Sequence, residues 1–213
     1  MDTAHLRDAF LRWSLAMEQA APELNQLDGE LGDGDLGVTL SKCAQNVRAA
    51  LPQAPDTVPG ILRAASQACA DASGSSFGTL LASGLLTAAK SLDGGQEINA
   101  STLHELLTHV IQKLSARGGA SLGDKTMLDA LHAIAQAIGR APRKACLATV
   151  ARDAAEQAIQ DFRGRPCRVG RARIFADKSA HLDDPGMVAI WRMTESLVIP
   201  FPYPGLGSHA PQD

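Results

Sequence analysis

Aromatic residues and long apolar runs are what this 213-residue chain has least of. Phe, Tyr and Trp together make up 4% of it, too few for a platform that stacks the bases of a single-stranded nucleic acid. No stretch approaches the roughly 18 consecutive apolar residues of a membrane span. The opening residues Met1 to Arg7 lack the basic stretch and apolar core of a secretory leader, so a soluble, cytoplasmic protein is expected. Neither sign of charge dominates: 20 Lys and Arg stand against 23 Asp and Glu, a net charge of -3. That balance argues against a surface built around a nucleic-acid backbone or an anionic membrane. Cys43, Cys69, Cys146 and Cys167 contain no C-x-x-C pair. They read as reduced, mostly buried thiols rather than a zinc knuckle or a redox dithiol. The six histidines include no pair at metal-ligand spacing on a helix face.

What the chain does have is helical periodicity in a composition that is 45% hydrophobic, enough to bury one ordinary core. Leu6, Phe10, Trp13, Met17 and Leu24 share one face of a first helix expected to run to about Gln26 and to end at Asp28-Gly29. The most amphipathic segment holds Leu103, Leu106, Leu107, Val110, Ile111 and Leu114, with Thr102-x-x-Glu105 as its expected capping box and Gly118-Gly119 as its stop. Weaker patterns over about 37–51, 59–72, 76–92, 126–139, 143–163 and 186–198 bring the helix count to eight. Only Cys167–Phe175 alternates like a strand, and one strand cannot make a sheet. The expected architecture is all-α, with one domain over 1–199 and a proline-rich tail over 200–213.

Four polar loops interrupt the helices. Leu27–Gly37 places four carboxylates, Asp28, Glu30, Asp33 and Asp35, within eight residues among interleaved glycines. Two carboxylates about 4 Å apart repel by about 1 kcal/mol in water and by several times that in a partly buried turn. A hard divalent cation removes the penalty, and oxygen-only donors suit Mg²⁺ or Ca²⁺. An EF-hand is excluded, because the twelfth position from Asp28 is Thr39 and from Asp33 is Ala44. Magnesium with a phosphate substrate fits better. Gly32-x-Gly34-x-x-Gly37 spells the dinucleotide fingerprint without a strand before it, and Gly118–Thr126 is no Walker loop because Asp124 separates Gly123 from Lys125. Asp71–Gly78 offers hydroxyls and amides at a helix start, a plausible phosphate cradle. Arg163, Arg165, Arg168, Arg171, Arg173 and Lys178 form a basic loop that suits a small polyanion better than a polymer.

Taken in order, Asp28-x4-Asp33-x-Asp35-x-Gly37, Ala72-Ser73-Gly74, Gly123-Asp124-Lys125-Thr126-Met127-Leu128-Asp129, Gly170-Arg171-Ala172 and Asp184-Pro185-Gly186 resemble the nucleotide-binding L subunit of dihydroxyacetone kinase. The resemblance spans residues 5–198. It implies an eight-helix antiparallel barrel that binds ATP or ADP at one rim through two Mg²⁺ ions, with Asp28, Asp33 and Asp35 as the metal ligands. It carries nucleotide contacts onto Leu36, Gly37, Val38, Thr39, Ala72, Ser73, Gly118, Met127, Arg171, Asp184, Pro185 and Gly186. Arg171 is in addition expected to stabilise the phosphoryl-transfer transition state, while Glu30 is expected in the outer shell or exposed.

The same resemblance implies a ketose-binding K subunit as partner and, for members that keep ADP bound, a phosphotransferase-system M subunit; a homodimer is left open. Two departures from the family pattern stand out. Ala70-Asp71 replaces the usual Gly-Gly before the Ala-Ser-Gly step. Leu36 stands where ADP-retaining members usually carry His, so the resemblance leans toward an ATP-using member. Two alternatives stay open: a kinase subunit for another small substrate, and a non-catalytic nucleotide-dependent partner of a regulator.

Overall fold

A computed structural model describes residues 2–72, 74–95 and 98–198 of the chain, so the expected tail over 200–213 lies outside the described residues. Within them the structure is helical and contains no strand. Eight long helices carry it: α1 (Thr3–Leu31), α2 (Leu36–Ala50), α3 (Val58–Ala72), α4 (Ser76–Ser91), α5 (Ala100–Gly118), α6 (Met127–Arg140), α7 (Leu147–Phe162) and α9 (Pro185–Val198). A five-residue α8 (Ala176–Ala180) and two 3₁₀ turns, Leu51–Gln53 and Arg171–Phe175, fill the connections. Each long helix packs on the next in sequence, and α9 packs on both α7 and α1. That last contact closes the eight helices into a ring. Among the described residues no helix is long and apolar enough to cross a membrane.

The ring is lined by the apolar stripes that the periodicity marks. Met17, Leu24, Leu40, Val47, Ile61, Ile138 and Met187 are at most 2% exposed. Cys43, Cys69 and Cys167 are buried free thiols, and Cys146 is exposed. The tightest approach lies between α1 and α2, where a β-carbon on Gly37 would come within 2.0 Å of the Ala21 carbonyl oxygen. Only glycine lets these two backbones touch.

Three boundaries differ from expectation. α1 does not stop at Asp28-Gly29 but continues to Leu31. Leu31 extends the stripe of Leu24 by seven residues and is 2% exposed, so burial holds the extra turn against a local Gly. α5 is not capped at Thr102 with Glu105. Its N-cap is Asn99, whose Oδ1 accepts from the amides of Ser101 (3.0 Å) and Thr102 (3.1 Å), while Thr102 Oγ1 accepts from the Asn99 amide at 2.8 Å. Thr102 therefore sits three residues inside the box. The alternation over Cys167–Phe175 forms no strand: Arg171–Phe175 is a 3₁₀ turn. Ile174 is 78% exposed, so the pattern has no apolar face to bury and nothing favours the extended form.

Candidate active site: an acidic turn facing an arginine loop

Asp28 projects from the last turn of α1, and the chain reverses through Gly32–Asp35 into α2. Gly34, at φ +74°, takes the left-handed conformation the reversal requires. Asp28 Oδ2 accepts hydrogen bonds from the amides of Asp35 (2.9 Å) and Leu36 (3.3 Å), satisfying the open N-terminus of α2. This fold-back gathers Asp28, Asp33 and Asp35 so that one oxygen from each lies within 4.8 Å of the others. The donor set is oxygen only and anionic, the chemistry that hard Mg²⁺ takes, so the residues fit a magnesium site. The guanidinium of Arg171 pairs with Asp33 and neutralises part of the cluster's charge.

The turn forms one rim of a cleft of about 960 Å³. Of the residues singled out in the sequence, Asp28, Asp33, Asp35, Leu36, Gly118, Met127, Arg171, Asp184, Pro185 and Gly186 line it. Gly37, Val38, Thr39 and Ala72 do not. Gly37 is turned onto α1, Thr39 is buried at 6% exposure, and the Val38 amide is taken by Asn25 Oδ1 at 3.1 Å. Ala72 closes α3 and packs against the core. Gly37 and Thr39 turn into the ring with α2 and Ala72 packs on the core with α3, whereas Val38 is exposed but lies outside the cleft lining. Ser73 lies outside the described residues. Glu30 pairs with Lys178 at 3.1 Å, both about half exposed.

Of the other cleft residues, Ser75 and Phe77 belong to the Asp71–Gly78 loop and Arg173 to the basic loop that the sequence marks for phosphate, whereas Arg117 is one that sequence reasoning missed. Ser75 and Phe77 open α4 beside the turn, Arg117 comes from the last turn of α5, and Arg173 comes from the arginine loop. The signal for Ser75 was present: it is the N-cap of α4, its Oγ accepting from the Gly78 amide at 3.3 Å. Asp129 Oδ1 accepts from the Gly123 amide (2.6 Å) and its Oδ2 from the Thr126 amide (2.8 Å), which shapes the loop ahead of α6. At the far rim, Asp184 Oδ1 accepts from the Met187 amide at 2.8 Å and starts α9. Burial pushes its carboxyl up to about 7 against the opposing pull of the Met187 amide, the Lys125 charge and the Gly186 amide; the Asp129 charge adds to the rise.

Residues 30–198 match the DAK2 domain family. The chain belongs to that family. Asp33 and Asp35 fall within the matched DAK2 stretch, and Asp28 lies two residues before it. L-erythrulose 1-kinase of Mycolicibacterium smegmatis is 31% identical over 184 residues, covering 82% of this chain and 32% of that enzyme; this DAK2 chain thus spans about a third of it. The ADP-binding subunit DhaL of the PEP-dependent dihydroxyacetone kinase of Escherichia coli is 26% identical over 181 residues, covering 83% of this chain and 86% of that subunit. The crystal structure of the dihydroxyacetone kinase from C. freundii in complex with AMP-PNP and Mg²⁺ superposes with a TM-score of 0.72 at 23% identity, over 91% of this chain and 33% of that one. The DAK2 chain therefore shares its helical fold.

Proposed function

We propose that this chain is the nucleotide-binding part of a small-ketose kinase. In this reading it holds an adenine nucleotide and two Mg²⁺ ions at the acidic turn and passes a phosphoryl group to a ketose carried by a separate K-type subunit. The observation that carries the proposal is the set of three carboxylate oxygens within 4.8 Å of one another in a cleft that Arg171, paired with Asp33, also lines. Kinase names among the relatives support it. Bound magnesium would neutralise the charge that builds up on the phosphate oxygens in a loose phosphoryl-transfer transition state.

The chain's own residues have distinct tasks in this scheme. Asp28, Asp33 and Asp35 supply the anionic seat for the metal. Arg171, which pairs with Asp33, lines the same cleft and would offer a phosphate its planar donor fork. Gly118 and Met127 flank the base or sugar, and Pro185 and Gly186 close the site above Asp184. Leu36, in place of a histidine, favours exchangeable ATP over a retained ADP fed by an M subunit.

The test uses the purified chain with Mg-ATP and dihydroxyacetone, with and without a K subunit, followed by ³¹P NMR. Phosphate transfer is expected only when the K subunit is present. Robust turnover by the isolated chain contradicts the proposal.

A further inference from the structure

The basic part of the cleft lining belongs to the excursion between α7 and α9, residues 163–184, which touches the acidic turn through Arg171 and Lys178. Its described side chains contribute little to the core. Cys167 and Ser179 are buried, whereas Arg171, Arg173, Ile174 and Phe175 are exposed. A connection with so little apolar burial opens easily unless something else anchors it.

The anchor is Lys125, in the loop before α6. Its side chain is 1% exposed. Its Nζ donates to the carbonyl oxygens of Arg165 (2.9 Å), Ser179 (2.9 Å) and Leu182 (2.7 Å). Three acceptors match the whole donor complement of an ammonium group, and they come from both limbs of the excursion. Neighbouring bonds continue the clasp. The Arg168 amide donates to the Asp124 carbonyl (3.1 Å) and the Gly164 amide to the Ala180 carbonyl (2.9 Å), and the Cys167 amide donates to Ser179 Oγ (2.9 Å). Lys125 is also the one described non-glycine residue with positive φ, +62°, a conformation a β-carbon disfavours. Asp129, binding the amides of Gly123 and Thr126 on either side, holds it there. Backbone strain maintained around a buried cation marks a position whose geometry matters.

We propose that Lys125 is a positioning residue for the phosphate-facing rim: it clasps the two limbs of the 163–184 excursion so that Arg171 is held against Asp33 of the acidic turn. Lys125 does not line the cleft and acts only through the segment it holds. The proposal rests on the reading of the acidic turn as a Mg-nucleotide site. Arginine is no substitute, because a planar five-donor fork does not fit a pocket of three carbonyls.

The test compares Lys125→Met, Arg171→Ala and the double variant with wild type in the full chain. Mg-ADP affinity is read by calorimetry, and tryptic cleavage after the arginines of 163–173 is timed. Lys125→Met is expected to weaken Mg-ADP about ten-fold, the scale of groups that orient ligands without touching them. It should speed cleavage in the excursion, keep the helical circular dichroism signal, and add little to Arg171→Ala. Wild-type affinity in the single variant, or full additivity in the double, overturns the proposal. If Lys125→Met does not fold, Ser179→Ala takes its place by removing the bond from the Cys167 amide. The same non-additivity at smaller amplitude supports the clasp, and additivity overturns it. A wild-type chain that binds no Mg-ADP refutes the nucleotide reading instead; tryptic rates then decide whether Lys125 holds the excursion, and unchanged rates overturn that.

Discussion

The acidic turn closes on itself, since Asp28 receives the amides of residues seven and eight positions further on, whereas the excursion facing it is held by Lys125 from 40 to 57 positions away. The two rims meet through the pair of Arg171 with Asp33. One rim is local and electrostatically frustrated by its own like charges; the other is remote in its support and basic. A cleft built this way sets anionic and basic side chains together in one lining, the two kinds of group that a polyanion with its metal engages.

Asp33→Asn acts on the local rim and has the largest expected effect. It removes a carboxylate from the triad, so Mg-dependent nucleotide affinity should fall by about a hundred-fold or more, beyond what ligand-orienting groups usually contribute. Helical content and apo melting should stay near wild type, because Asp33 is exposed. Calorimetry with and without magnesium checks this. Retained affinity would break the comparison at its root.

Gly37→Ala tests whether the local rim depends on the α1–α2 contact beneath it. The new β-carbon would meet the Ala21 carbonyl, so unfolding stability should drop by about 1–3 kcal/mol as the helices part. Urea titration reads the loss, and Mg-nucleotide affinity should weaken with it.

Asp184→Asn probes the remote rim through pH. The folded carboxyl titrates at about 7 against an ordinary 3.8, so the native state binds more protons than the unfolded one between those values. Stability contributed by the protonated form is complete below about 4 and is lost as pH rises through about 7. Asparagine keeps the acceptor for the Met187 amide without the charge. Relative to wild type the variant should therefore melt higher at pH 8 than at pH 5, and an unchanged difference between the two pH values contradicts the assignment.

The smallest effect belongs to Lys178→Ala. It breaks the exposed bridge from the excursion to Glu30, worth under about 1 kcal/mol. A larger loss in urea titration would mean the rims are tied by surface charge rather than by Lys125.

The helices were legible because their apolar spacing survives in the folded ring, and the carboxylate cluster was legible because its residues are neighbours in sequence. Leu31 shows the limit of local rules: Asp28-Gly29 looks like a stop until the burial of a side chain two positions later is counted. The Gly37–Thr39 run is matched to the nucleotide by likeness alone; the close crossing with α1 buries Gly37 and Thr39 and leaves Val38 exposed. Arg117 carried no signal, since nothing local distinguishes a cation above a cleft from one in solvent. Lys125 lies in the Gly123–Asp129 motif, yet its role depends on carbonyls of residues 165, 179 and 182, which no spacing reveals.

The central claim is that the acidic turn holds a nucleotide through a divalent cation, and native mass spectrometry of freshly purified protein tests it most directly. Spectra are recorded with ADP in magnesium, after chelation by EDTA, and after a chase with excess ATP. The account predicts one nucleotide per chain with magnesium, exchange during the chase, and loss of the nucleotide on chelation. Equal nucleotide occupancy with and without magnesium, or none in either, would contradict it.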